Sequence, residues 1–351
     1  MGRNIVWGAA AAALSLAAAS GMGTAPAKAD PIPIGIDCDR ACLQDMVDQT
    51  LAAMVAHDAH RLPLSADVRY TENGQQLALN DGFWGTASSQ GVYKHYFLDP
   101  RTEQAAFFGV LKENGTNNVI LAMRIKLEGR KISEIETVFS RTGLGTAGPN
   151  GAATLEAMGK PDPVWLNDNP EHASREDIIR TSNKYFSALE NDDGKGDYSF
   201  FADDCWRFEN GMQTTSGPHP APPRAPPPAA APPAGGAAPA PAPRPGPSPM
   251  SLSCKGGFQT GSLQVVTRIR DRRFPVVDEE KGVAFSFGFF DHNAQQHDFV
   301  LADGSHMHGG LQAPFTWEIA EAFRIEHGQI KVVEAVINNV PYGMKAGWDG
   351  H

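Results

Sequence analysis

The sequence predicts an α+β protein built from two diverged copies of one small domain, and three observations predict it. Residues 40–74 and 175–211 share one order of features: a helix, a turn, then a Glu-Asn-Gly tag behind an aromatic residue. The tags are Glu72-Asn73-Gly74 after Tyr70 and Glu209-Asn210-Gly211 after Phe208. The segments RIKLEGRKISEIETV (124–138) and RIEHGQIKVVEAV (324–336) also match, so each copy closes on the same kind of hairpin. Past each helix the apolar period changes from helical to two residues, which calls for a sheet against which the helix can pack.

In the first helix Leu43, Met46, Val47, Thr50, Leu51 and Met54 form one apolar stripe. Ser174, with Asp177 three residues later, caps the second helix; Ile178, Ile179, Tyr185, Phe186 and Leu189 supply its buried face, and Asp192-Asp193-Gly194 stops it. Val283, Phe285, Phe287 and Phe289 alternate with Ala284, Ser286 and Gly288, giving one bulky face and one small face suited to a cavity wall or a close-packed neighbour. Trp317, Ile319, Phe323 and Ile325 continue the sheet and share their face with Glu321.

These elements place the first copy at 30–140 and the second at 174–351. The Gly-, Pro-, Asn- and Asp-rich stretch 141–173 between them reads as an exposed connector. Residues 217–250, inside copy two, are dominated by Pro and Ala; Pro removes donors and Ala buries little, so this insertion forms no core.

Residues 1–29 have the layout of a secretory signal peptide: Arg3, an apolar Ala/Leu-rich run, and a small-x-small site at Ala27-Lys28-Ala29. Its removal predicts a periplasmic or secreted protein with no membrane contact. Without Arg3 and Lys28 the chain keeps 28 basic residues against 40 acidic ones, near −12, which leaves no electrostatic footprint for nucleic acid. A small molecule is the expected partner, and sheet faces offer a homodimer contact.

Four cysteines in an oxidising compartment suggest disulfides with three pairings open; Cys38 with Cys42 and Cys205 with Cys254 are preferred because each pair then lies within one copy. Neither pair has zinc-site spacing. His306 and His308 would share a strand face, with His297 nearby, but their surroundings are Gly-rich and hold no carboxylate at a ligand spacing, so no metal is expected. Dinucleotide, phosphate-loop and serine-hydrolase motifs are absent, and no cofactor is expected. Asn114-Gly115-Thr116 is a glycosylation sequon that acts only in a eukaryotic host.

The runs CDRACLQDMVDQTLAAMVAHD, VRYTENGQQLALNDGFWGT, RIRDRRFPVVDEEKGVAFSFGFFDH, IAEAFRIEHGQIKVVEAV and VPYGMKAGW resemble a family of secreted bacterial and fungal proteins described as a domain of unknown function. That family looks like a member of the SnoaL-like, nuclear-transport-factor-2-like superfamily. The resemblance implies two tandem cone-shaped domains, each a curved antiparallel sheet packed against N-terminal helices with a pocket between them. The superfamily includes isomerases, cyclases, hydrolases, dehydratases and plain binding modules, so the fold does not select a chemistry. No catalytic motif of those enzymes maps residue for residue onto this sequence.

A cofactor-free acid/base site needs a desolvated carboxylate or histidine and donors for developing charge. Glu321 on its apolar strand, and Asp291-His292 at the end of the Phe-rich strand, are the catalytic candidates; structural pairing of Glu321 with Arg324 or Arg270 competes with that role. Arg270, Arg324, Glu209 and Tyr342 are the candidate ligand-binding residues. The cluster Arg268, Arg270, Arg272 and Arg273 suits either an anionic ligand or internal ion pairs with the acidic residues beside it. The expected function is binding of a small, largely apolar molecule in copy two, with cofactor-independent isomerase, lyase or hydrolase chemistry. A non-catalytic ligand-binding or protein-interaction module is the alternative.

Overall fold

The computed structural model describes residues 37–142, 150–169, 171–219, 251–308 and 311–348. The expected signal peptide and residues 220–250 of the Pro-rich insertion lie outside these ranges.

Copy one begins with α1 (Arg40–Val55), capped by the Asp39 carboxylate, which accepts from the Cys42 backbone N–H at 2.9 Å. Its strands are β1 (Leu64–Glu72), β2 (Gln75–Gln76), β3 (Ala87–Asp99), β4 (Gln104–Glu113), β5 (Asn117–Glu128) and β6 (Lys131–Arg141), in sheet order β2-β1-β6-β5-β4-β3. After α2 (Gly151–Met158), copy two repeats the plan with α3 (Arg175–Glu190), β7 (Phe201–Glu209), β8 (Met212–Gln213), α4 (Cys254–Phe258), β9 (Arg268–Asp278) and β10 (Val283–His292). A small hairpin of β11 (Asp298–Val300) and β12 (His306–His308) precedes β13 (Phe315–Glu326) and β14 (Gln329–Val340), and the second sheet runs β8-β7-β14-β13-β10-β9.

The sheets are mixed rather than purely antiparallel. In each copy a meander runs antiparallel, but the first strand lies parallel to the last, β1 on β6 and β7 on β14. Each first strand is joined to the meander by a long connection rather than a hairpin, which permits a parallel neighbour. Both Asn-Gly tags are turns with positive φ, at Asn73-Gly74 and Asn210-Gly211, as two-residue hairpin loops demand. Each Asn also accepts from the last strand, at Phe139 N and Ile337 N, 2.9 Å in both copies.

Each sheet packs one face, here called inner, against its own helix. Leu43, Val47 and Leu51 of α1 meet Tyr70, Leu121, Met123 and Ile135; Ile178, Tyr185 and Phe186 of α3 meet Phe290, Phe323 and Val333. The outer faces pack on each other: Phe97, Phe108 and Ile120 share one core with Phe285, Phe287, Val276 and Val332. The bulky face of β10 therefore looks toward copy one, and its small face receives α3. The sheet faces expected to form a homodimer are thus buried against each other within one chain.

Reciprocal contacts mark this contact as a pseudo-two-fold interface. Arg40 of copy one forks onto Asp278 of copy two at 2.7 and 2.9 Å, while Arg175 of copy two meets Asp99 of copy one at 2.8 Å. The same aspartates accept from Leu98 N at 3.1 Å and Val277 N at 3.0 Å, each across the interface. The segments that follow the last strand of each copy are also exchanged. Residues of α2 abut the Asn210-Gly211 turn of copy two, and Trp348, beyond the last strand of copy two, donates from Nε1 to Thr71 Oγ1 of copy one at 3.0 Å.

The stretch expected to be an exposed connector is, over its described part, structured and partly buried. Gly151, Ala152, Leu155 and Trp165 enter or flank the core between the sheets, because that core needs apolar cover at its margin. Both preferred disulfides, Cys38–Cys42 and Cys205–Cys254, are formed. Among the described residues no helix is long and apolar enough to cross a membrane.

Candidate functional site

Strand alternation decides which side chains can meet. On β13 Trp317, Ile319, Glu321, Phe323 and Ile325 face α3, whereas Glu318, Ala320, Ala322 and Arg324 face outward. On β7 Cys205, Arg207 and Glu209 face inward, while Trp206 and Phe208 enter the core between the copies. The parallel pairing of β7 with β14, and the antiparallel pairing of β14 with β13, bring Glu209 and Glu321 to the two sides of Ala335. Tyr185 of α3 lies over them.

The four polar groups form a compact cluster in an aromatic setting. Arg207 Nη1 donates to the Tyr185 hydroxyl at 3.1 Å, and its Nε lies 3.6 Å from Glu209 Oε1. Rings of Phe323 and Phe258 stand 5.2 and 5.3 Å from Tyr185. Glu321 is 2% exposed, and its Oε2 has no hydrogen-bond partner. Burial, reinforced by the negative charge of Glu209, pushes its carboxyl well above the ordinary value; Arg207 and a hydrogen bond from Tyr185 pull the other way without overcoming it. The arrangement therefore sets a carboxyl that holds its proton more tightly than usual beside a cation and a phenol.

Copy one shows what the same positions do in a closed core. Stepping across its sheet from Glu72 leads to Thr137 and then Met123, as Glu209 leads to Ala335 and then Glu321. Tyr70 stands where copy two has Arg207, opposite Ile135 and Val333 respectively. Glu72 accepts from the Tyr70 hydroxyl and from Phe83 N at 2.7 Å and Trp84 N at 3.3 Å, so its charge is tied to a local cap, although burial still raises its pKa. That cap comes from the connection between β2 and β3. In copy two the equivalent connection between β8 and β9 carries the Pro-rich insertion and α4 instead.

Of the residues singled out in the sequence, the structure brings Glu321 and Glu209 together and places the others elsewhere. Asp291 is on the outward face of β10, held by Arg268 at 2.8 Å, Arg270 at 3.0 Å and Thr316 Oγ1 at 2.6 Å. Burial alone would raise its pKa, but hydrogen bonds from Arg270, Thr316 and Arg268 outweigh that and hold it below the ordinary carboxylate value. Arg324 is buried and outward, spending its donors on the carbonyls of Asn167 and Asp168 and on Glu326. Tyr342 is largely exposed beyond β14. Neither Arg270 nor Arg324 pairs with Glu321, because alternation sets them on the opposite side of the sheet.

His292 does face inward, at the end of β10. Its Nδ1 lies 3.0 Å from the Phe290 carbonyl, its ring stacks on Phe315 with centroids 4.3 Å apart, and Nε2 has no partner. Burial lowers its pKa to about 4, so the ring is neutral at pH 7. The remaining arginines of the β9 cluster are in ion pairs, Arg272 with Glu190 at 2.6 Å and Arg273 with Glu136. His308 meets Asp298 at 2.9 Å on the exposed β11–β12 hairpin, and among the described residues no group of three side chains is set to hold a metal ion.

Tyr185 and Arg207 complete the cluster and were not identified as site residues from the sequence. The signal for Arg207 lay in the repeat itself, where a charged residue in copy two replaces Tyr70 of the copy-one tag. No comparable signal marks Tyr185, since a tyrosine on a helical apolar face is ordinarily core.

Residues 171–337 match the family described as Domain of unknown function (DUF8021). The match therefore falls on copy two, the copy that holds the cluster. No curated protein matches the chain. Among solved structures, the chain is similar to AclR from Streptomyces galilaeus, named by assignment as a hydroxylase, with 11% identity over 29% of this chain and 81% of that one, at a TM-score of 0.23. It is also similar to a protein from Kribbella flavida DSM 17836 named by assignment as a ketosteroid isomerase, with 10% identity over 32% of this chain and 87% of that one, again at 0.23. At that score neither likeness bears on fold or function.

Proposed function

We propose that this is an exported protein whose second copy binds a small, largely apolar molecule against its inner face and moves a proton through Glu321, without a cofactor. The observation that carries the reading is the unpartnered Oε2 of a fully buried Glu321, at a position where copy one has Met123. A methionine there fills a core at no electrostatic cost, so a carboxyl in its place is a burden on folding that a function would explain. Arg207 and Tyr185 are placed to stabilise negative charge developing on a ligand oxygen, and Glu209 balances Arg207 in the resting state. Copy one, with its carboxylate capped, is the scaffold. Two disulfides agree with export.

A non-catalytic binding or interaction module is favoured by a different observation, the aromatic filling of the inner face by Tyr185, Phe186, Phe258 and Phe323. One experiment separates the two. Native mass spectrometry of the mature protein from its own periplasm or medium reports any retained molecule, which is then followed in D2O for deuterium uptake. Exchange by the parent protein that falls about a hundredfold or more in Glu321→Gln supports proton transfer. Retention without exchange returns the binding-module reading, and unaltered exchange in Glu321→Gln removes Glu321 from the mechanism.

A further inference from the structure

A pair of orphaned polar atoms lies on the same inner face, away from Glu321. His292 ends β10, and Trp317 projects from β13 with its ring centroid 4.4 Å from the imidazole centroid. His292 Nε2 and Trp317 Nε1 are both buried and neither has a hydrogen-bond partner. The Phe290 carbonyl beside Nδ1 only accepts, so Nδ1 carries the ring proton and Nε2 presents a bare lone pair. The indole Nε1–H only donates. An unsatisfied acceptor and an unsatisfied donor thus stand side by side against the Phe315 ring, and each costs stability while unpaired.

Few chemical groups satisfy both atoms. An ammonium donates to Nε2 but cannot accept from the indole. A carboxylate or carbonyl accepts from the indole but confronts the Nε2 lone pair with another. A hydroxyl does both, donating its proton to Nε2 and accepting from Nε1–H. The flanking rings of Phe315 and Trp317 suit a neutral cyclic body attached to that hydroxyl.

We propose that His292 and Trp317 form a hydroxyl-recognition subsite of copy two, taking the alcohol or phenol group of a neutral cyclic molecule packed against Phe315. Trp317 and Glu321 are four residues apart on one strand face, about 13 Å. Placing the far end of such a molecule at Glu321 rests on the proton-transfer reading above; the hydroxyl contact does not.

The test uses the full mature chain, 15N-labelled, and two probes that differ by one group: 4-methylphenol and 1,4-dimethylbenzene. Trp317→Phe identifies the Trp317 indole N–H resonance. That resonance is expected to shift on titration with 4-methylphenol, which binds about tenfold more tightly than the hydrocarbon, the worth of roughly one hydrogen bond. His292→Phe keeps the stack on Phe315 and is expected to abolish the preference, while Glu321→Gln leaves it intact. An indole resonance unmoved up to the solubility limit, equal affinity for both probes, or a preference that persists in His292→Phe overturns the subsite. A preserved preference in Glu321→Gln together with unaltered deuterium exchange in that variant overturns only the proton-transfer reading.

Discussion

Glu321 and His292 are both buried and both titrate away from their ordinary values, in directions that make opposite demands on pH. The folded state binds the Glu321 proton more tightly than the unfolded chain does, so its stabilising contribution is complete below the ordinary value of 4.5 and is lost as pH rises through the higher folded value. For His292 the unfolded ring, at 6.5, takes up a proton before the folded one, at about 4; its contribution is complete above 6.5 and is lost as pH falls toward 4. Urea unfolding across pH is expected to show Glu321→Gln gaining on the parent above pH 4.5. His292→Phe is expected to flatten the acid side between pH 6.5 and 4, where the histidine accounts for about 3 kcal/mol. Curves parallel to the parent's in both variants would contradict burial as the cause.

At the scale of elements, the exchanged segments depend on glycine. A Cβ on Gly151 would sit 2.1 Å from the Asn210 carbonyl oxygen, and one on Gly211, whose φ is +72°, would sit equally close to the Gly151 carbonyl oxygen. The start of α2 and the β7–β8 turn therefore approach backbone to backbone. Gly151→Ala is expected to lower the denaturant midpoint by the equivalent of about 2 kcal/mol, through displacement of α2 and of the Leu155 and Trp165 cover it brings. A midpoint within error of the parent's would show that α2 is not held at this turn. Because α2 flanks the tag strand that carries Arg207 and Glu209, the same variant also probes how firmly the cluster is positioned.

For the whole molecule, the decisive arrangement is that two sheets bury their outer faces on each other inside one chain. Trp206, Phe208, Phe285 and Phe287 of copy two are buried in this shared core, with His219 also lying against Trp206 and Phe208. A chain comprising residues 171–351 alone would expose them as one apolar patch of several hundred Å². It is expected to form dimers through that face or to precipitate at micromolar concentration, as read by size-exclusion chromatography with light scattering. A soluble monomer would mean that copy two does not need copy one. The interface also carries reciprocal Arg–Asp pairs, Arg40 with Asp278 and Arg175 with Asp99, which fix the register of the two sheets.

The sequence by itself determined the duplication, the Ser174 cap of the second helix, the period-two strands and the Asn-Gly turns, and it ranked the disulfide pairings while leaving three open. These are local matters, set by side-chain periodicity, turn stereochemistry and spacing within a few dozen residues. It also placed Glu321 on an apolar strand face, because alternation along β13 is legible in the chain. Only the tertiary structure decided which sheet face meets the other copy, since a bulky stripe on β10 is equally compatible with its own helix or with a neighbouring sheet. The same decision separated Glu321 from Asp291, Arg270 and Arg324: strand parity is visible in sequence, but which parity faces the helix is not. Tyr185 and Arg207 joined Glu321 only once the parallel pairing of β7 with β14 was formed, a contact across more than a hundred residues that no local pattern encodes.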